Sequence, residues 1–165
     1  MRFAVALLAL ACTACGQQVD EGEQEMIEEQ AIADVEAVNG SEPPLREVVP
    51  EPILFPDIEK HDMFGASCAY APGTSLGARV IARQADAFMK VDGEVIRFAA
   101  DPGARELPYG TRSLYNGTEY SLRLEVAGDG EQSGMETMDY EGSISLRDRW
   151  DRVVYDGVGT AQCGV

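Results

Sequence analysis

From about Met63 onward, apolar and polar residues alternate along the chain with a period of two. The clearest stretch is TEYSLRLEVAG, where Tyr120, Leu122, Leu124 and Val126 alternate with Glu119, Ser121, Arg123 and Glu125. Successive side chains of a strand point to opposite faces, so this pattern sends one row to a core and the other to water. In DAFMKVDGEVIRFAA the dipeptide Asp92-Gly93 suits a type I′ turn that pairs Val91 with Glu94, Met89 with Ile96 and Ala87 with Phe98. In TRSLYNGTEYSL, Asn116-Gly117 suits the same turn and would place Ser113 opposite Tyr120. SCAYA, ARVIAR, DYEGSISLR, RVVYDG and GTAQCG are further strands, separated by Pro-Gly, Gly-Asp-Gly and Asp-Arg-Trp-Asp breaks. About seven to nine short strands over residues 66–165, without a convincing helix, predict an all-β domain, a small antiparallel barrel or sandwich. A barrel of this size is filled by its own side chains and leaves no generous ligand cavity.

The first 65 residues follow other rules. Arg2, the apolar run Phe3–Ala11 and the small residues after it read as a signal peptide over residues 1–14. The run is about half of the roughly 20 apolar residues that a membrane-spanning helix needs. Its end, Cys-Thr-Ala-Cys-Gly, resembles the lipobox of bacterial lipoproteins, in which cleavage falls just before a cysteine carrying a diacylglycerol. Cys15 fits that role, with Ala14 before it and Gly16 after it; Cys12, after Leu10 and Ala11, is the alternative. The resemblance implies a lipid-anchored envelope protein, and Gly16 in place of aspartate implies the outer membrane, facing the periplasm. Two acyl chains hold a protein at a bilayer stably where one does so marginally.

Residues 15–65 read as an acidic, Pro-containing tether. Between Gly16 and Gly65, 14 acidic residues stand against Arg46 and Lys60, whereas Ala66–Val165 carry 15 acidic and 10 basic residues. A segment so charged and poor in aromatics does not bury enough apolar surface to offset its ordering entropy. Within it, residues 21–39 have the signals of a transient helix: Asp20 and Glu23 as a capping box, Ile27, Ala31, Val35 and Val38 on one face, and Asn39-Gly40 as a stop. The prolines from Ser41 to Pro56 favour an extended course beyond it.

The composition also narrows the chemistry. With the leader accounted for, Cys68 and Cys163 remain, in a compartment that permits oxidation, and they are expected to pair. His61, the single histidine, lies in the tether, which leaves no Ser-His or Cys-His arrangement and no zinc set in the β domain. No cofactor, metal site or catalytic residue is therefore assigned, and the protein is read as a non-enzymatic binder. Glu131, Glu136, Asp139 and Glu141 crowd one stretch and give a carboxylate-pair hydrolase as an alternative, and Asp129, Glu131 and Glu136 give a calcium loop, both set against a solvated loop over residues 129–141. Trp150 beside Arg149 has the composition of a binding hot spot, and equally that of a turn residue folded over a barrel end. An acidic chain without a basic footprint does not suit nucleic acid.

Lipobox, tether, a cysteine in the first strand, another near the end and Asn116-Gly117-Thr118-Glu119-Tyr120 after a strand together resemble the membrane-bound inhibitors of c-type lysozyme. That resemblance covers roughly Cys68 to Cys163 and implies an eight-stranded barrel that pushes a loop into the lysozyme cleft. Asn116, Gly117 and Tyr120 stand at its Ser-Gly-x-x-Tyr signature; the serine is replaced, and no lysine follows Lys90. Two functions follow as expectations: binding of an envelope protein or peptidoglycan by the β domain, or inhibition of lysozyme.

Overall fold

The structure, a computed structural model, describes residues 21–40, 42–75 and 77–165. Cys12, Cys15 and Asp20 lie outside them. The described chain forms two units that divide after Pro43. In the first, α1 (Glu21–Gly40) occupies the stretch whose signals predict a helix, with Met26, Ile27, Ile32 and Val35 exposed. Among the described residues no helix is long and apolar enough to cross a membrane.

The second unit is a closed antiparallel barrel of eight strands. The strands are β1 (Ser67–Pro72), β2 (Val80–Ala82), β3 (Asp86–Val91), β4 (Glu94–Ala100), β5 (Leu114–Asn116), β6 (Tyr120–Gln132), β7 (Thr137–Asp148) and β8 (Val153–Gly164). Each pairs with the next, and β8 returns to β1 with Cys68 opposite Cys163, where the two cysteines form a disulfide. The alternation read from TEYSLRLEVAG holds: Leu122 and Leu124 are fully buried inside, together with Tyr70, Met89, Phe98, Tyr115 and Leu146. The interior is thus filled by side chains, as expected of eight strands.

The Asp92-Gly93 hairpin has the predicted register, with Val91 opposite Glu94, Met89 opposite Ile96 and Ala87 opposite Phe98, and both turn residues at positive φ. The Asn116-Gly117 hairpin does not. Asn116 pairs with Ser121 and Tyr115 with Leu122, so the loop runs from Gly117 to Tyr120, closed by the Gly117 N–H donating to the Tyr120 carbonyl at 2.8 Å. Ser113 accordingly lies beside Leu124, whose N–H it accepts at 3.1 Å, and not opposite Tyr120. Packing overrides the turn signal, because this register stacks Tyr115 on Leu122 in the core. Gly117 is not at positive φ, and a Cβ there would be tight, 3.0 Å from the Phe98 ring and 3.1 Å from the Tyr120 carbonyl oxygen, so that the ring would have to give.

Two predicted breaks are likewise absent. RVVYDG and GTAQCG are one strand, β8, and β6 runs through Gly128-Asp129-Gly130 with a register shift between Ala127 and Glu131. Glycine inside a strand often marks a bulge or a close approach of another backbone. At Gly159 a Cβ would fall 2.0 Å from the Ala71 carbonyl oxygen across the β1–β8 seam.

The largest departure concerns the tether, which ends well before residue 65. The barrel unit begins at Pro44, and Val48, Ile53 and Met63 are buried. The Val48 N–H donates to Val154 O at 2.9 Å, that of Glu51 to Lys90 O and that of Ile53 to Ala78 O, each at 2.8 Å. A short helix, α2 (Phe55–His61), follows, fixed by an Asp57–Lys90 ion pair at 3.0 Å. Hydrogen bonds from Leu54 N–H and Lys90 hold the Asp57 carboxyl below its ordinary pKa. From Pro44 the Pro-containing segment, whose last proline, Pro56, is in α2, lies along the barrel as a strap. Its cause is on the strands: Ile81, Phe88 and Val95 present apolar side chains outward, and Ile53, Ile58 and Met63 cover them.

Candidate functional site

Since the interior holds only side chains, any binding chemistry has to be on the outside or at the barrel ends. Inside, the Tyr70 hydroxyl is fully buried and makes no hydrogen bond. Burial, and then the neighbouring Tyr155, push its pKa upward, so it stays protonated.

The acidic stretch is a hairpin, not a loop with free carboxylates. Asp129 and Glu131 belong to β6 and Asp139 and Glu141 to β7, with Glu131 directly opposite Asp139; only Glu136 is in the turn. Asp139 accepts hydrogen bonds from Ser133 Oγ at 2.7 Å and Gln162 Nε2 at 3.0 Å. Carboxylates on adjoining strands of one ribbon do not face each other across a cleft as glycosidase pairs do. Among the described residues no three His, Cys, Asp or Glu side chains are grouped to hold a metal ion. His61 ends α2 on the strap.

The residues singled out as binding candidates come together at the opposite end of the β6–β7 ladder. Tyr120 pairs with Asp148, so the end of β5 at Asn116 and the loop that starts at Gly117 adjoin the β7–β8 turn carrying Arg149 and Trp150. Asp148 builds that turn. Its Oδ1 accepts the N–H groups of Trp150 at 2.9 Å and Arg152 at 3.0 Å, and its Oδ2 takes Arg152 Nε at 2.8 Å. Burial alone would raise the Asp148 pKa, but the Arg152 and backbone hydrogen bonds outweigh it and keep the group ionised. The result is a fixed indole: the guanidinium carbons of Arg149 and Arg152 lie 5.4 and 5.1 Å from the ring centroid of Trp150. These are cation–π distances. Trp150 stands in the β7–β8 turn and is half-buried, so part of it faces solvent.

Beside the rim, the outward row of β6 and β7 adds residues that sequence reasoning passed over, Ser121, Arg123, Ser145 and Arg147, and the β7–β8 turn adds Asp151, around a groove of about 490 Å³ that Asn116 also lines. Alternation marks Ser121 and Arg123 as water-facing. Only the ladder register shows which polar residues of β7 meet them.

Comparison of the chain with protein families, curated proteins and solved structures finds no match. A barrel by itself implies no activity, so the functional reading has to rest on this rim and on the N-terminal sequence.

Proposed function

We propose that the protein is a lipid-anchored, non-enzymatic envelope protein whose barrel binds another envelope component, protein or peptidoglycan, through the rim around Trp150. The observation that carries the reading is the indole set between Arg149 and Arg152 on a turn locked by Asp148. Aromatic and arginine side chains dominate binding energy at interfaces, and here the backbone that carries them is held by the Asp148 hydrogen bonds. The anchor is Cys15, or Cys12, on the outer membrane facing the periplasm, and the lipobox resemblance supports it.

Two measurements test the proposal. Mass spectrometry of the mature N-terminus is expected to find a diacylglyceryl adduct on Cys15, with globomycin blocking maturation; no adduct on either early cysteine removes the anchor. Trp150→Ala is expected to weaken capture of the partner from solubilised envelope, or binding to purified sacculi, about thirtyfold, without lowering the thermal midpoint. Equal capture by the variant would remove the rim. Inhibition of c-type lysozyme is the second reading, favoured by the eight strands and by the exposed Thr118 and Glu119 of the Gly117–Tyr120 loop. Purified lysozyme belongs in the same experiment: micromolar inhibition would name lysozyme as the partner, and its absence leaves the envelope component.

A further inference from the structure

The outward row of β5–β7 holds a second arrangement, distinct from the indole. The register sets Leu114, Arg123 and Ser145 in one line across the three strands and Asn116, Ser121 and Arg147 in the next. The residues between them, Tyr115, Leu122 and Leu146, are fully buried, so these six face outward. Across the β6–β7 ladder each arginine is opposite a serine, and the two arginines stand on a diagonal, roughly 7–8 Å apart at this register. Long side chains flanking short ones leave the groove of about 490 Å³, within the ~300–1,000 Å³ of small-ligand sites.

Its charge state runs against the rest of the unit. From Pro44 to Val165 the chain has 20 acidic and 12 basic residues. The Arg123 side chain nevertheless makes no hydrogen bond or ion pair among the described residues. Arg147 is engaged through Nη1 alone, with Asp151 Oδ1 at 3.3 Å and the Asp151 carbonyl at 2.6 Å. Its partner carboxylate is 87% exposed, and an ion pair in water contributes little.

We infer that this groove binds an oxyanion carried on a hydroxylated skeleton, a carboxylated or phosphorylated sugar. The planar forks of Arg123 and Arg147 match carboxylate or phosphate oxygens. Ser121, Ser145 and Asn116 supply small donors and acceptors for hydroxyl groups. Asp151 is the built-in competitor that occupies Arg147 while the groove is empty of ligand. The inference rests on the binding reading above, for which it names the chemistry that the partner presents next to Trp150.

Calorimetric titration of the full chain at low salt tests it with three probes: a soluble muropeptide bearing carboxylates, a hexose phosphate, and the neutral hexose. Saturable binding of either anionic probe, weakened by added salt, and none of the neutral hexose, is expected; the probe that binds identifies the source of the oxyanion. Arg123→Gln, on an exposed position, is expected to weaken it about tenfold. Ser145→Glu is expected to abolish it by putting a carboxylate between the arginines, and Asp151→Asn to strengthen it. Binding of neither anionic probe, or unchanged binding by Arg123→Gln and Ser145→Glu chains that melt like the parent, overturns the inference. Should capture through Trp150 succeed while neither anionic probe binds, the groove falls and the partner reading stands. Should an anionic probe bind while capture fails, the reverse holds.

Discussion

Replacing both Cys68 and Cys163 by alanine is expected to cost the barrel about 4 to 5 kcal/mol, the loop-closure entropy of a loop of this length. The two cysteines are 95 residues apart in sequence and directly opposite each other on β1 and β8, the pair of strands that closes the barrel. The bond therefore closes a loop that spans most of the barrel unit, and the unfolded state gains much freedom when it is opened. Both sulfurs are fully buried, and alanine avoids placing a hydroxyl there. Urea unfolding of the variant beside the oxidised parent measures the difference, and reduced parent protein checks that the missing bond, not the truncated side chains, is responsible. A loss below about 1 kcal/mol would show that the backbone ladder alone fixes the closure.

Asp86→Asn is the second large effect, expected at about 3 kcal/mol. Asp86 opens β3 with its side chain almost completely buried, and its two oxygens take Arg83 Nε at 2.8 Å, Arg83 Nη2 at 2.9 Å and Arg97 Nη2 at 2.7 Å. The Arg97 side chain is 69% exposed, so that pair is screened and the Arg83 pair carries most of the effect. Arg83 also donates through Nη1 to the carbonyls of Asp62 at 2.7 Å and Phe64 at 3.2 Å. The carboxylate thus steadies the arginine that ties the end of the strap to the barrel. Burial by itself would raise the Asp86 pKa; the hydrogen bonds and charges of Arg83 and Arg97 together outweigh it and leave the pKa lowered. A depressed folded pKa means stability that is fully present above the unfolded value of ~3.9 and is lost as pH falls through the folded one. The gap between parent and variant should therefore be constant from neutral pH down to about 4 and close below it. A gap independent of pH down to about 2 would show that the ion pairs contribute nothing. Hydrogen exchange at Met63 and Phe64 is expected to quicken in the variant.

Strand identity was legible because half-buried strands carry their own label. TEYSLRLEVAG alternates, and its apolar row is the row inside the barrel. The strap was not legible, since its evidence is divided between two distant segments. Val80-Ile81 and Ala87-Phe88-Met89 break the alternation with apolar neighbours, the mark of strands covered on both faces. Val48, Ile53, Ile58 and Met63 recur at every fifth residue among prolines and acids, a period that belongs to neither helix nor strand. Neither observation points to the other without the fold. At the rim, composition marked Trp150, Arg149, Asn116, Gly117 and Tyr120, while Arg123 and Arg147 had nothing local to distinguish them from other solvent-facing arginines.

By itself the sequence determined the class of the domain, the Asp92-Gly93 hairpin and the residues of the inner row, and it led to the expected pairing of Cys68 with Cys163. These depend on periodicity, turn chemistry and counting, which act within a few residues or need no geometry. Tertiary structure decided closure into a barrel, the four-residue loop in place of an Asn-Gly turn, the start of the folded unit at Pro44 and the diagonal of arginines beside the indole. Each of those is a choice between pairings that are locally equivalent. Only the burial of Tyr115 against Leu122, and of Phe88 beneath Met63, separates the alternatives in free energy.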